Sequence, residues 1–498
     1  MGCEPSNYTY VRYLHNPATN NFIWAPSLVM LLVGCLFVPL LGPHYDECLI
    51  SVVARGHDAQ LFRWQNIGDW TFRVMPYMGA MKAYLFAPLL RFFEPSIWLL
   101  RMPSLILAIV VVWLFSTVTH PACRARFSWL YATDPTVILL AVFDWGPTTL
   151  MTLLKTVFLW MFLKSSANAR GPLLAVIAIL GLYDKSNFVW FLLAMAFAVM
   201  VHQPWRRRMI VLVGHTSPWV ILLTALTFTC MSVYLLWPSL DPTLLLQGGD
   251  VDVGRRFVVI GETFTGSALA HQLLDCQLPL LGMKGLILVA AMVAAVKRPV
   301  RDPHLLWGAV VLVLFLATER GKGPHHVFMA YPFPLLIAAH VWGKRMTLLC
   351  VAMNLSILTC FYGHMRQGDI RQTWDPALLE AIQYVREQDL PMVAGDWGIQ
   401  TGMHLFLEND QIALPDDDLW RGQQLPESLR DQSFILISFV SGREAFPSLS
   451  SSLIKRLSNT HVIEREKVIY DLKSRPILVC RRVVASPNRI LHGTVNIF

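Results

Sequence analysis

The sequence predicts a polytopic α-helical membrane protein (about 11 transmembrane helices) followed by a soluble α/β domain at its C-terminus. Three observations carry this prediction. Of 498 residues, 55% are hydrophobic and only 15% are charged, with a mean hydropathy of +0.48; a water-soluble protein of this size carries about 25% charged residues. The apolar residues are gathered into runs such as 105–118 and 211–236 that hold almost no charge, and runs approaching about 20 residues suit the hydrocarbon core of a bilayer. From about residue 364 the character changes: 15 Lys/Arg stand against 17 Asp/Glu, and no membrane-length run remains.

A window near the bilayer thickness places the helices near 25–42, 98–118, 127–143, 148–164, 171–184, 187–203, 209–237, 277–296, 304–318, 325–342 and 346–363. The connections at Arg124/Arg126, Lys164/Arg170, Arg206-Arg207-Arg208, Lys297/Arg298/Arg301 and Lys344/Arg345 are short and basic. All five fall on one side if the N-terminus is cytoplasmic, as Lys and Arg favour that side. The long connections 43–97 and 238–276, the basic turn 319–324 and everything after 364 then lie on the outer, periplasmic or extracellular, side. The expected location is a plasma or bacterial inner membrane, with the active face outward.

The formal charge of +8 is accounted for by these helix ends, and no nucleic-acid partner is expected. The nine cysteines form no CxxC pair, which argues against a disulfide or zinc scaffold. Leu32-Val33-Gly34-Cys35 has the look of a lipoprotein cleavage site, but it lies inside an apolar run after a long polar leader, so an uncleaved first membrane helix is expected.

In the tail, Asp375-Pro376 reads as a helix start with proline in the first turn, continued by Leu379, Ile382, Val385 and Arg386 at helical spacing. β-rich runs follow at 391–394, 434–440, 467–472 and 476–484, the last two separated by Lys473-Ser474-Arg475. The expected division is therefore 1–363, a membrane domain whose outer loop 43–97 carries an acidic motif, and 364–498, a soluble outer domain.

No phosphate-cradling glycine loop, HExxH or metal-ligand cluster appears, so no cofactor is demanded, and a requirement for a divalent cation is left open. The first outer loop opens with Pro43-His44-Tyr45-Asp46-Glu47. A carboxylate at the mouth of a membrane helix can act as a general base, or simply favour the positive end of a helix dipole. Adjacent helical residues diverge by roughly 100°, so at most one of the pair faces a given site. Further on come Gly79-Ala80-Met81-Lys82-Ala83-Tyr84-Leu85, Pro88, Arg101-Met102-Pro103-Ser104 and Phe143-Asp144-Trp145-Gly146-Pro147.

Together, an acidic pair after the first helix, a lysine in a GxxKxxL…P stretch, an RxPS entry to the second helix and an outward Asp after the third resemble the GT-C glycosyltransferases. The likeness is to the group of protein O-mannosyltransferases and aminoarabinose-lipid A transferases (families 39 and 83), over the region up to about residue 190. The resemblance implies a membrane glycosyltransferase, mannosyltransferase-like, that moves a sugar from a polyprenyl-phosphate donor to an acceptor protein, lipid or glycan at the outer face. It implies that Asp46 activates the acceptor hydroxyl with Glu47 as its neighbour, that Asp144 lines the same cavity, and that Lys82 holds the donor phosphate. Relatives commonly show Lys-Pro-Pro where this chain has Lys82-Ala83-Tyr84.

Lys or Arg can stabilise charge on a departing lipid phosphate without a metal. The run Arg320-Gly321-Lys322-Gly323-Pro324-His325-His326 offers such cations, as do Arg255 and Arg256; attraction to membrane headgroups is the competing account, and the favoured one for Arg255 and Arg256. Asp184-Lys185 reads as a salt-bridged turn, Arg101 as a helix-entry anchor, and the second Asp-Trp-Gly at 396–398 as coincidence. Asp134 falls inside an expected span, where an unpaired charge costs roughly 3 kcal/mol. It needs a partner, a watery cavity, or a later helix start. A transporter or flippase of lipid-linked sugars remains a rival reading, as does a non-catalytic scaffold. The sequence shows no internal repeat, and its notable acids sit at helix ends rather than mid-span, unlike transporters built of matched halves.

Overall fold

The computed structural model describes residues 24–56, 65–67, 70–164, 171–214, 216–237, 253–297, 303–317, 323–396, 398–407, 411, 432–443, 449–458 and 461–485. The chain forms two compact units, each discontinuous in sequence: 1–38, 75–82 and 101–362 in the first, and 39–74, 83–100 and 363–498 in the second.

The first unit is helical. Among the described residues, four helices are long and apolar enough to cross a membrane: Ile97–Val118, Pro218–Leu236, Pro279–Lys297 and Lys344–Arg366. Phe188–Val201 and Gln203–Gly214, bent by 103°, make a fifth if read as one span, and Trp24–Phe37, Gly171–Asp184 and Pro303–Ala317 are shorter apolar helices. The helix Pro218–Leu236 buries only Leu235 and turns Trp219, Leu222, Leu223 and Leu226 outward, as a face in contact with lipid does. The chain is an integral membrane protein.

The expected count of about eleven spans is not reached by length and composition, for local reasons. The span foreseen at 127–143 is two helices, Pro121–Thr133 and Pro135–Val142. Pro135 lacks an N–H and drives the residue before it out of the helical region. Asp134 is accordingly extended, and its Oδ1 accepts from the amides of Thr136 and Val137 at 2.9 and 3.2 Å. Its Oδ2 accepts from Lys284 Nζ at 2.8 Å, with both side chains buried. The partner and the later helix start that this aspartate called for are both present.

The span foreseen at 325–342 is also broken, into Pro324–Val327, the 3-10 turn Phe328–Ala330 and Phe333–Val341. Irregular backbone at membrane depth needs partners from the protein itself. Lys155, fully buried within the helix Thr148–Lys164, supplies them by donating to the carbonyls of Met329 and Tyr331 at 3.0 and 2.6 Å.

The second unit holds a four-stranded sheet in the order Met392–Ala394, Phe434–Phe439, Pro476–Ala485, His461–Tyr470. The first pair is parallel and the other two antiparallel. The strand read from sequence at 467–472 begins earlier, because pairing with its neighbour runs from His461 opposite Ala485 to Tyr470 opposite Pro476. Asp471 closes the hairpin by accepting from the amides of Lys473 and Arg475 at 2.9 and 2.7 Å. Val393, Phe434, Leu436, Leu453, Leu457 and Val483 form a core beneath the sheet. Asp375 starts the helix Ala377–Gln388 by accepting from the Ala377 amide at 2.8 Å.

The first loop belongs to this unit except for 75–82. The helix Tyr45–Arg55 packs on the helix Ile399–Phe406, and Arg55 donates to the Leu405 carbonyl at 2.7 Å. The Gly42 amide donates to the Trp374 carbonyl at 2.7 Å, and the His44 and Trp374 rings stack with centroids 4.0 Å apart. The grouping thus divides the chain at 362/363, and adds 39–74 and 83–100 to the C-terminal segment.

Candidate active site

The acidic motif sits at the N-terminus of the helix Tyr45–Arg55, where His44 is the capping residue. The Asp46 amide donates to His44 Nδ1 at 3.2 Å, and the His44 amide donates to Glu47 Oε2 at 3.1 Å. This is a reciprocal capping box with histidine in the place usually held by Ser or Thr. The two carboxylates are thereby separated in role. Glu47 is buried and its carboxylate serves the cap. Asp46 points elsewhere, with its side chain 33% exposed and its Oδ2 3.9 Å from His44 Nδ1.

Nearby, a small cavity of about 20 Å³ is lined by Pro43, His44, Tyr45, Gln372, Thr373 and Asp375, among others. That volume admits about one water molecule. Burial pushes the Asp375 carboxyl up to about 6.

A polar cluster lies within the helical unit, assembled from five separate segments. Lys82 Nζ contacts Asp144 Oδ2 at 2.7 Å and donates to the Gly146 carbonyl at 2.8 Å, and both charged side chains are buried. Asp144 also accepts from Ser104 Oγ at 2.6 Å and from the amide and hydroxyl of Thr149 at 3.1 and 3.0 Å. The RxPS and Asp-Trp-Gly-Pro motifs therefore meet through Ser104 and Asp144. Gly146 takes a positive φ of 64°, which glycine adopts at no steric cost and which brings its carbonyl to the lysine.

Gly79 has an equally local reason. A Cβ there would strike the backbone carbonyl and ring of Tyr183. The close approach lets Met78 bridge Lys185 and lets the Ser186 amide donate to the Tyr77 carbonyl at 2.9 Å. Asp184 is thus carried to within electrostatic reach of Lys82, Lys185 and Asp144. The salt-bridged turn foreseen at Asp184-Lys185 does not form: neither Asp184 oxygen takes a hydrogen bond among the described residues.

His325 and His326 join from the fifth segment. Their ring centroids lie 4.1 Å apart, Trp145 is 6.0 Å from His325, and both imidazoles feel Lys185. The acids and histidines of this cluster do not converge on one point as metal ligands would. Arg320 and Lys322 lie outside the described residues.

Other foreseen cations have protein partners. Arg255 approaches Glu262 at 3.7 Å, and Arg256 donates to the Leu316 carbonyl at 2.6 Å. Arg101 is an anchor, donating to the Val38 carbonyl at 2.7 Å with its guanidinium 4.7 Å from the Phe143 ring centroid. Of the second Asp-Trp-Gly, Asp396 is buried and Trp397 lies outside the described residues. Sequence reasoning missed Lys155, Lys284 and Asn187. For the two lysines the signal was available, since a charge within an apolar run is costly enough to need a reason.

No family model matches the sequence, and no curated protein matches it. Among solved structures, the chain is similar to the cryo-EM structure of the arabinofuranosyltransferase AftD from Mycobacteria. The identity is 13% and the TM-score 0.42, over 93% of this chain and 40% of that one. The chain thus spans about two fifths of the length of that protein.

Proposed function

We propose that the chain is a membrane glycosyltransferase that moves a sugar from a polyprenyl-phosphate donor to an acceptor hydroxyl at the outer membrane face. The observation that carries this reading is the buried Lys82–Asp144 pair, set among Asp184, Lys185, His325 and His326 in a helical unit that is otherwise apolar. Each charge withdrawn from water costs several kcal/mol, and ionisable groups within a membrane unit mark functional sites by default. An apolar cavity of about 730 Å³ between helices of the same unit, lined by Phe158, Phe162, Leu174, Leu182, Met195 and Phe228 among others, suits a hydrocarbon chain.

In this reading Asp46 is the base. The acceptor hydroxyl gives its proton to the Asp46 carboxylate as its oxygen attacks the anomeric carbon. The bond from that carbon to the phosphate oxygen breaks, and polyprenyl phosphate departs with the electron pair. A single displacement inverts the anomeric centre. Glu47 acts through the cap that orients Asp46. Asp144, already holding Lys82, Ser104 and Thr149, positions the lysine. The donor phosphate engages Lys82 by exchange with Asp144, together with His325, His326 and the foreseen Arg320 and Lys322.

The rival transporter reading draws on one observation, the buried Asp134–Lys284 pair beside a broken helix, since transporters place charges at such breaks. One assay separates the two. Membranes containing the protein are given a polyprenyl-phosphate sugar labelled in the sugar. Wild type should transfer the label to endogenous acceptors, and Asp46→Asn should not, at equal expression and insertion. Full activity in that variant removes the base assignment. Movement of intact labelled lipid between leaflets without transfer supports the transporter instead.

A further inference from the structure

Six polar atoms near Lys185 are buried and take no hydrogen bond among the described residues: both oxygens of Asp184, the amide nitrogen and oxygen of Asn187, and Nδ1 of His325 and of His326. Most buried side-chain polar atoms have a partner, and each exception calls for an explanation. These six are not scattered. Asp184 ends the helix Gly171–Asp184, Asn187 precedes the helix Phe188–Val201, and the two histidines are tied to the same place through Lys185 and Trp145.

The bland explanation for Asn187 is a helix cap, a role asparagine favours because its side chain can accept from the first free amides. It fails here. Asn187 holds the capping position in helical conformation and its side chain makes no capping bond. Asp184 lies within electrostatic reach of its neighbour Lys185 but takes no hydrogen bond from it. The side chains of Asp184 and Asn187 both end in atoms without hydrogen-bond partners among the described residues, and Asp184 is fully buried.

The unmet set is chemically mixed. A carboxylate offers acceptors only, and the asparagine amide offers two donors and an acceptor. A phosphate, which only accepts, satisfies none of the Asp184 oxygens. A ligand with several adjacent hydroxyls, each both donor and acceptor, satisfies both residues.

We propose that Asp184 and Asn187 bind the hydroxyls of the donor's sugar and so determine whether a sugar-bearing lipid is preferred over a bare polyprenyl phosphate. This deepens the glycosyltransferase reading and rests on it. Hydroxyls of the sugar donate to the Asp184 carboxylate and both donate to and accept from the Asn187 amide, while the phosphate is left to Lys82 and the histidines.

The test measures binding to the purified full chain in lipid nanodiscs. The probes are undecaprenyl phosphate and four undecaprenyl phosphates bearing mannose, glucose, galactose or arabinose. Wild type should bind at least one sugar-bearing lipid about tenfold or more tightly than the bare lipid, the size expected of one charge-assisted hydrogen bond. Asn187→Ala should reduce that preference to about twofold or less without changing the affinity for undecaprenyl phosphate itself, and Asp184→Asn should reduce it likewise without weakening the binding of that bare anionic lipid, since Asp184 stands within electrostatic reach of Lys82 and Lys185. The bare lipid also reports that each variant is folded. If both variants keep the wild-type preference, or if wild type binds all five lipids equally, the sugar assignment is overturned while the lipid-phosphate reading stands. If wild type binds none of the five, both fall together.

Discussion

Asp46 and Glu47 are adjacent in sequence and opposite in use. Glu47 accepts from the His44 amide and completes a cap, whereas Asp46 contributes only its amide to that arrangement and a third of its side chain meets solvent. Their substitutions should therefore separate stability from activity. Glu47→Ala removes a capping interaction worth about 1 kcal/mol and should lower the denaturation midpoint while reducing transfer only in proportion to the unfolded fraction. Asp46→Asn should leave the midpoint unchanged and abolish transfer. A common effect of both on either readout would contradict the division of roles. The sequence made the pair visible and limited the site to one of them through helical geometry. Helical geometry could not choose between them, and only the family resemblance pointed to Asp46; the different surroundings of the two carboxylates depend on His44 acting as a cap, a role seldom expected of histidine.

Among elements, the broken spans show where a reading by hydropathy stops. Apolar composition announced segments at 127–143 and 325–342, and both are apolar and buried, but their interruption depends on partners far away in sequence. Lys284 reaches Asp134 across 150 positions, and Lys155 reaches Met329 across 174. Removing one member of a buried pair leaves an uncompensated charge, at about 3–5 kcal/mol. Lys284→Met should accordingly reduce thermal stability in detergent by that order, and adding Asp134→Asn should restore much of it. If the double variant is as unstable as the sum of its parts, the pair is not the source of the loss. Gly79 belongs to the same scale. The motif reading noted the glycine, yet its reason is contact with Tyr183. Gly79→Ala should displace the Met78–Lys185 bridge and lower lipid-phosphate binding even though no ligand group is altered; unchanged binding and stability would refute this.

At the scale of the whole molecule, composition and charge distribution announced a membrane protein with a polar C-terminal part, and the structure places an α/β sheet within residues 392–485. The unit containing that sheet also takes in 39–74 and 83–100, which sequence could not reveal, since no local pattern records that Gly42 and His44 meet Trp374. The same unit carries two opposed responses to pH. Burial raises Asp375 to about 6 from an ordinary value near 3.8. Between those values the folded form binds more protons than the unfolded chain, so this group adds stability as pH falls from 7 towards 4. Asp369 is held below its usual range by hydrogen bonds from His364 and Lys473, so its contribution is present above about pH 4 and lost on further acidification. Amide exchange in the helix Ala377–Gln388 of the full chain should therefore slow from pH 7 to pH 5 after correction for intrinsic rates. Asp375→Asn should remove that trend and stabilise the helix by about 1–2 kcal/mol at pH 7. A wild-type helix whose protection is indifferent to pH across this range would contradict the assignment.

Lys155 gives the protein a chronology as well as an architecture. The ribosome makes this lysine long before it makes the carbonyls of Met329 and Tyr331 that receive its ammonium, and in the interval a cation is held in a segment destined for hydrocarbon. The earlier helix cannot settle into its final surroundings until the later, broken one arrives, and the broken one has no substitute in lipid for the donor that the earlier helix brings. Maturation of the helical unit is thus set by its last segments, so chains arrested before residue 324 should still present Lys155 to aqueous amine reagents, whereas finished chains should not.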